Sequence, residues 1–380
     1  MFSGEYRLVA MLCIVAFSVS GCGKSDTGKQ PLQSADKNYT EKVVNLYVWS
    51  DYLAPDTIAS FEKLSGVKVR ASYFDTNETL ETRLLTGNSG FDVVVPSAAY
   101  FQRQIRSGAY LPLDKSLLPN LGSLDSKLML RAALYDPGNV YGVVNTWGTF
   151  GIGYNERMLT ETLPNVSLKS WRLIFDPAYA AKLAKCGINI LDNSAAVVRL
   201  ALNYLNRNPN APAPQDLADA ETALVNIRPY IRTIDSSNYI EALANGDICI
   251  ALGYNGDVIQ ARNRAREAKN DIRIDYVIPD EGTLLWFTLL AIPRDAPHIA
   301  NAHLFINYLT DPQVLAHITN STGFANANPA ALPLVNASIA SDTAVYPTSD
   351  QQQRLIVQLE DSPEQARTIT RIWQKFKTGQ

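Results

Sequence analysis

The sequence predicts a mixed α/β fold with two lobes. Short runs in which apolar and polar residues alternate are typical of strands, and they take turns with longer runs of helical periodicity. That order is typical of α/β domains. About 340 residues remain once the N-terminal leader is set aside, which is more than one hydrophobic core usually serves. Two lobes are therefore expected.

The first strand and the first helix are the clearest elements. Val44, Leu46 and Val48 occupy alternate positions of a strand, and the helix that follows begins at Pro55-Asp56 and ends at Gly66. Further along, the same patterns predict strands at 67–73, 91–96, 141–144, 151–155, 186–191 and 247–254, helices at 79–85, around 171 and at 195–204, and a surface loop at 208–215.

The N-terminus predicts export. Arg7 precedes an apolar run, Leu8 to Val19, that is too short to cross a bilayer and is typical of a signal peptide. Small residues then precede Cys22, which resembles a bacterial lipobox, so we expect residues 1–21 to be removed and Cys22 to carry lipid. The alternative is an ordinary signal peptide with an incidental cysteine. Residues 22–42 hold almost no apolar side chains and predict a flexible tether.

Composition and motifs exclude several functions. The formal net charge is −3 and no basic stripe is present, so nucleic acid is not an expected partner. His298, His303 and His317 lack the spacing of metal ligands, which predicts no metal site. Gly151-Ile152-Gly153 lacks the third glycine of a dinucleotide-binding motif, and Ser60 of an S-x-x-K match lies in mid-helix. No catalytic residue and no cofactor are expected.

Two of the four cysteines are expected in the mature domain. Cys13 leaves with the signal peptide and Cys22 carries the lipid, so Cys186 and Cys249 remain. In an exported protein two remaining cysteines are usually bonded. The alternative is a pair of separately buried thiols.

Polar and aromatic residues stand where predicted strands end. Trp49-Ser50-Asp51-Tyr52 lies between the first strand and its helix, while Ser97 and Asp257 follow later strands. Ligands of open α/β sheets bind at the carboxyl ends of strands. A carboxylate beside aromatic rings suits an alkylammonium group, because the carboxylate pairs the charge and the ring faces cover the methylenes. The alternatives are that the rings belong to the core and that Ser97 caps a helix.

Five segments carry a family resemblance. They are Trp49-Ser50-Asp51-Tyr52, Gly90-Phe91-Asp92 running into Val95-Pro96-Ser97, Gly151-Ile152-Gly153-Tyr154-Asn155, Ala244-Asn245-Gly246-Asp247-Ile248-Cys249 and Ala325-Asn326-Ala327-Asn328. In these segments, and in order over essentially all of 43–380, the chain resembles the periplasmic putrescine- and spermidine-binding proteins of ABC transporters.

This resemblance implies a type II periplasmic-binding fold with two discontinuous α/β lobes joined by a hinge. The first lobe would hold 43–147 and 281–324, and the second would hold 151–278 and 328–380. The family also pairs cysteines at the positions of Cys186 and Cys249.

The resemblance further implies a ligand cleft between the lobes. Asp51 and Asp257 would hold one ammonium group with help from Ser50, and four aromatic rings would sandwich the aliphatic chain. The implied lining residues are Trp49, Ser50, Asp51, Tyr52, Ser97, Ser236, Tyr254, Asp257, Trp286, Thr288 and Phe324.

The chain departs from the family at the far end of this cleft. Thr288 and Ala196 stand where the family has acids that would neutralise a second ammonium group. We therefore expect a linear amine with one neutral or modified end, such as an acylated diamine or an amino acid with a terminal amine. The alternative is that Asp192 or Asp235 replaces the missing acids and ordinary polyamines bind.

The predicted function is that of a monomeric, lipid-anchored periplasmic receptor that delivers a small linear amine to an ABC permease in the inner membrane. The alternative keeps the fold but makes the protein a ligand-dependent sensor or adaptor that signals to a membrane partner. Neither function is enzymatic.

Overall fold

The computed structural model describes residues 41–50 and 52–379 and contains one eleven-stranded sheet with helices packed around it. The predicted signal peptide, Cys22, the tether as far as residue 40, and Asp51 lie outside the described residues. The strands are β1 (Val43–Trp49), β2 (Lys68–Phe74), β3 (Val93–Val94), β4 (Gly142–Asn155), β5 (Ile188–Ile190), β6 (Thr233–Ile234), β7 (Ile250–Tyr254), β8 (Ile274–Val277), β9 (Thr283–Ala291), β10 (Ala325–Asn326) and β11 (Leu355–Val357).

The helices follow the predicted pattern closely at the N-terminus. The first helix ends at Gly66, which takes the left-handed conformation with φ 70° as a helix C-cap requires. The helices are α1 (Thr57–Ser65), α2 (Asn77–Thr86), α3 (Ala98–Arg106), α4 (Ser126–Ala132), α5 (Glu156–Thr162), α6 (Arg172–Phe175), α7 (Pro177–Leu183), α8 (Ser194–Tyr204), α9 (Pro214–Ile227), α10 (Tyr239–Asn245), α11 (Asn255–Ala268), α12 (Ile299–Leu309), α13 (Pro312–Thr322), α14 (Ala337–Ala340), α15 (Ser349–Gln353) and α16 (Pro363–Thr378). Within the described ranges, none of these helices combines the length and apolar character needed to cross a membrane.

The sheet consists of two halves that share one long strand. Its order is β2-β1-β3-β9-β4-β7-β5-β6, with β8 and β10 also paired to β4 and β11 paired to β9. Residues Gly142–Thr149 of β4 pair with β9, and Phe150–Tyr154 pair with β7. We call β2, β1, β3 and β9 the first half, and β7, β5 and β6 the second half. Strand β4 therefore carries the chain from one half to the other.

Strand β4 is longer than the sequence pattern predicts. The sequence indicates two strands, at 141–144 and 151–155, but the structure has a single strand of 14 residues. Asn145 and Thr146 interrupt the apolar pattern, and the register between β4 and β9 shifts between Val144 and Trp147. All 14 residues are buried, because other strands and helices cover both faces of β4. Because Asn145 and Thr146 are polar but buried, the sequence pattern does not predict that the strand continues through them.

The predicted disulfide is present in the second half. Cys186 follows α7 and Cys249 immediately precedes β7, and their Cα atoms are 5.4 Å apart. The bond joins positions 63 residues apart in sequence and so restricts the unfolded chain over a long loop.

Loss of this disulfide should destabilise the protein. For a loop with a separation of 63 residues, the chain-entropy relation gives about 4 kcal/mol of the free energy of unfolding. Urea denaturation of the Cys186→Ser/Cys249→Ser variant and of the unmodified protein, each with and without reductant, measures the effect. Reductant should act only on the unmodified protein, and equal unfolding free energies in all four samples would contradict the prediction.

A buried carboxylate ties β1 to the start of α12. Asp92 is fully buried and accepts the backbone N–H groups of Asn45 at 2.7 Å and His298 at 2.6 Å. Its other contact is with Nδ1 of His298 at 3.0 Å, while Nε2 of that ring lies 3.2 Å from Glu41. Burial lowers the pKa of His298, but the bonds and charges of Asp92 and Glu41 outweigh burial and raise that pKa above 6.5.

This raised pKa predicts a pH-dependent contribution to stability. The protonated ring stabilises the fold fully below the unfolded pKa of about 6.5, and this contribution is lost as pH rises through the folded pKa. We expect His298→Gln to lower the free energy of unfolding by about 1–3 kcal/mol near pH 5.5 and by less near pH 9. Urea denaturation at both pH values measures this.

His317→Gln is the matched control, because His317 bonds Asp56 at an exposed position, where ion pairs contribute about 0–1 kcal/mol. A loss for His298→Gln that grows towards high pH would contradict the assignment.

Candidate functional site

The predicted binding residues converge where β4 passes between the two halves of the sheet. The first half supplies Tyr52 after β1 together with Trp286 and Thr288 on β9. The second half supplies Tyr254 at the end of β7, and Phe324 follows α13. Each of these five side chains contacts at least one of the others, so residues from both halves form one site.

Aromatic rings form the wall of this site, and we call Tyr254, Trp286 and Phe324 the aromatic cluster. The Trp286 ring meets the Tyr254 ring at 6.0 Å and 90°, and it meets the Phe324 ring at 5.2 Å and 88°. Tyr52 lies 6.5 Å from Phe324. Edge-to-face contacts of this kind suit the charge distribution of aromatic rings.

Two glycines allow the cluster to pack this closely. A Cβ atom on Gly148 of β4 would lie 2.5 Å from the Trp286 ring, and one on Gly256 of α11 would lie 2.1 Å from the Phe324 ring. Both distances are well inside van der Waals contact. Any other residue at either position would therefore displace an aromatic ring of the site.

A group of buried hydroxyls lies beside the cluster, and we call Tyr52, Thr146, Thr288 and Asn145 the hydroxyl network. The Tyr52 hydroxyl bonds those of Thr146, at 2.8 Å, and Thr288, and it accepts from Asn145 Nδ2 at 3.1 Å. The two threonine hydroxyls are 2.8 Å apart. Burial raises the pKa of Tyr52, although the bonds from its neighbours partly oppose this, so the phenol stays protonated and neutral.

A carboxylate lies close to Tyr254 of the cluster. Asp257, in the first turn of α11, accepts a hydrogen bond of 2.8 Å from the Tyr239 hydroxyl, which itself accepts the backbone N–H of Tyr254. Asn193 Nδ2 donates to the Tyr254 hydroxyl at 3.1 Å. Burial raises the pKa of Tyr254 to about 12; the bond from Asn193 opposes this, and the charges of Asp257 and Glu78 add to it.

The predicted residues at the carboxyl end of β1 have partners of their own. Trp49 Nε1 donates to the carbonyl of Val95 at 2.8 Å, and the Ser50 hydroxyl donates to Asp75 at 3.0 Å. The Ser50 hydroxyl is therefore bonded to Asp75, an acid that follows β2 in the first half of the sheet. Asp51, the predicted partner of Asp257, lies outside the described residues.

The predicted residues Ser97 and Ser236 make different contacts. Ser97 is the N-cap residue of α3 but makes no capping bond through its side chain, and its backbone pairs with Thr288 in an isolated bridge. Its hydroxyl does not cap the helix. Ser236 accepts the backbone N–H of Asp192 at 3.0 Å.

The two acids that were candidate replacements for the missing far-end acids already have partners. Asp192 accepts from Trp373 Nε1 at 3.0 Å and from Lys377 Nζ at 2.8 Å. Asp235 accepts backbone N–H groups of the two residues before α10, at 2.8 Å in the case of Ser237. Ala196, which stands for the other expected acid, is fully buried in α8.

The sequence matches the family of bacterial extracellular solute-binding proteins over residues 56–348. The chain belongs to this family.

Relatives within this solute-binding family match almost the whole chain. It is 42% identical over 348 residues to the putrescine-binding periplasmic protein SpuD of Pseudomonas aeruginosa, covering 91% of the chain and 94% of SpuD. It is 44% identical over 341 residues to the putrescine-binding periplasmic protein PotF of Escherichia coli, covering 89% of the chain and 92% of PotF.

A solved structure gives the same result for the fold. The TpPotD lipoprotein of Treponema pallidum superimposes with a TM-score of 0.75 at 25% identity, covering 88% of the chain and 99% of TpPotD. Two predictions are thereby confirmed. The fold is the two-lobed type II periplasmic-binding fold, and the protein is a solute-binding protein rather than an enzyme.

The sequence patterns did not indicate several residues of this candidate site. Tyr239 and Asn193 orient Asp257 and Tyr254 from other elements, and no local pattern marks them. Asn145-Thr146 did carry a signal, because two polar residues interrupt an otherwise apolar buried strand. No group of three residues able to hold a metal ion occurs in 41–50 or 52–379.

Proposed function

We propose that the chain is the periplasmic receptor of an ABC importer and that it binds a polyamine or a polyamine-like linear amine between the two halves of the sheet. The observation that carries this proposal is Asp257, which lies beside the aromatic cluster and is oriented by Tyr239. The putrescine-binding relatives, 42% and 44% identical, support the ligand class.

The site suits the two chemical parts of such a ligand. The Asp257 carboxylate pairs an ammonium group through a charge-assisted hydrogen bond, and ring faces attract the cation. The rings of Tyr254, Trp286 and Phe324 cover the methylenes and remove them from water. Asp51 completes the anionic end in this proposal.

Binding closes the two lobes in this proposal, with 43–147 and 281–324 in the first and 151–278 and 328–380 in the second. Support comes from β4, which changes partner from β9 to β7 at Thr149–Phe150, between the proposed lobes. Because ligand contacts come from both sides of this crossing, a bound amine stabilises the closed state by its differential contacts.

The receptor acts as a monomer at the membrane in this proposal, anchored by lipid on Cys22 and docking on a permease of the inner membrane. The lipobox-like residues before Cys22 support the anchor, as does the description of TpPotD as a lipoprotein.

Removal of the carboxylate should weaken amine binding. We expect Asp257→Asn to raise the Kd for putrescine by about 10- to 150-fold, the value of one charge-assisted hydrogen bond. Isothermal titration calorimetry measures it, with circular dichroism to check folding. Asp350→Asn is the control, because Asp350 is an exposed carboxylate on α15. Equal Kd values for the two variants and the unmodified protein would contradict the assignment of Asp257.

The lipid anchor can be tested separately. Because acyl chains contribute about 0.8 kcal/mol per buried methylene, the mature protein should partition into detergent, and Cys22→Ala should shift it to the aqueous phase or leave its signal uncleaved. Phase separation in Triton X-114 measures the partition. Identical partition and processing of both forms would refute the anchor.

A further inference from the structure

We distinguish two ends of the proposed site, an acidic end at Asp257 and a neutral end at the hydroxyl network. At one end Asp257 lies beside Tyr239 and Tyr254, and the charge of Glu78 also acts on Tyr254. At the other end lies the hydroxyl network, in which each hydrogen bond between described side chains joins two neutral groups. Burial has the largest effect on the pKa of Tyr52 and raises it, and hydrogen bonds from the neutral groups of Thr146, Thr288 and Asn145 partly oppose this. Among the residues that the structure describes, only the Asp257 end provides a carboxylate for a cation.

A second ammonium group would therefore be costly at the neutral end. Asp192 is already bonded to Trp373 and Lys377, and Asp235 is bonded to residues at the start of α10. A buried ammonium without a counter-ion carries a large desolvation penalty. A ligand with a carboxylate at this end would also be left without a counter-ion, because no described Lys or Arg bonds the hydroxyl network. The chemistry of this end favours an uncharged group.

Two buried atoms near the neutral end indicate which kind of uncharged ligand group suits it. Trp286 Nε1 is a donor and Asn145 Oδ1 is an acceptor, and neither has a hydrogen-bond partner in the described part of the chain. Trp286 lies two residues before Thr288 on β9, so both side chains project from the same face of the strand. Asn145 donates to Tyr52 through its other side-chain atom. A buried polar atom left unpaired costs free energy, so a ligand group that pairs both atoms gains affinity.

An amide has both of the required functions. Its carbonyl oxygen accepts a hydrogen bond and its N–H donates one, and it carries no charge. We propose that the site prefers a linear amine with one free ammonium group and one neutral amide end, that is, an N-acylated diamine, over a free diamine. This inference rests on the proposed function and specifies its ligand.

Calorimetry on the full mature domain tests the preference directly, with N-acetylputrescine, putrescine and 4-aminobutyrate as the probes. N-acetylputrescine should bind at least about tenfold more tightly than putrescine, and 4-aminobutyrate should bind more weakly than N-acetylputrescine. Equal or tighter binding of putrescine would overturn the inference while leaving the proposed function intact. Tighter binding of 4-aminobutyrate would also overturn it, and absence of binding by all three probes would overturn both proposals.

Variants test which atoms produce the preference. Trp286→Phe keeps a ring but removes the N–H, so the ratio of the putrescine Kd to the N-acetylputrescine Kd should fall by about fivefold or more. Trp373→Phe is the matched control, because it removes an indole N–H that Asp192 already accepts, and its ratio should be unchanged. An unchanged ratio in Trp286→Phe would overturn the role of that N–H.

A third variant adds the missing charge. Thr288→Asp places a carboxylate at the neutral end and should shift the preference towards putrescine by about tenfold or more. If the folded variant still prefers N-acetylputrescine to the original degree, the neutral-end inference is wrong. Should the buried carboxylate prevent folding, the comparison of Trp286→Phe with Trp373→Phe still decides.

Discussion

The arrangement of this protein depends on one strand that both halves of the sheet share. Strand β4 pairs with β9 over its first part and with β7 over its second part, so any ligand contact made from both halves lies near this crossing. Gly148 keeps the strand clear of the Trp286 ring. The register shift beside Thr146 places polar side chains at the same point. The pairing of β4 with β9 and then with β7 thus determines where the candidate site lies.

The polar groups around this crossing are arranged unequally. The three hydroxyls of the hydroxyl network pair with one another, which lowers the cost of burying these neutral groups. Asp257 instead keeps a carboxylate beside aromatic rings, where a cation is the natural complement. Trp286 Nε1 and Asn145 Oδ1 remain unpaired within the described residues. In our proposal an uncharged, hydrogen-bonding group of the ligand pairs with these two atoms, and an ammonium group of the ligand pairs with Asp257.

Much of the fold is predictable from local sequence. The alternation in β1 and the glycine that ends α1 are each visible within a short stretch of sequence. The N-terminal export signal is equally local, and it predicts the bond between Cys186 and Cys249. The site is only partly predictable. Tyr52 meets Thr146 across 94 positions of sequence and Thr288 across 236, so the network depends on tertiary contacts that no local pattern encodes. For the same reason the sequence did not predict Tyr239 and Asn193, although it did predict Asp257 and Tyr254, which they contact.

A crystal structure of the chain with bound putrescine tests the central claim most directly. We expect an ammonium nitrogen within about 3 Å of the Asp257 carboxylate, with the methylenes packed against the rings of Tyr254 and Trp286. An amine bound elsewhere, for example in the surface groove along α2 that Tyr47 and Arg83 line, with Asp257 not in contact with it, would contradict the account.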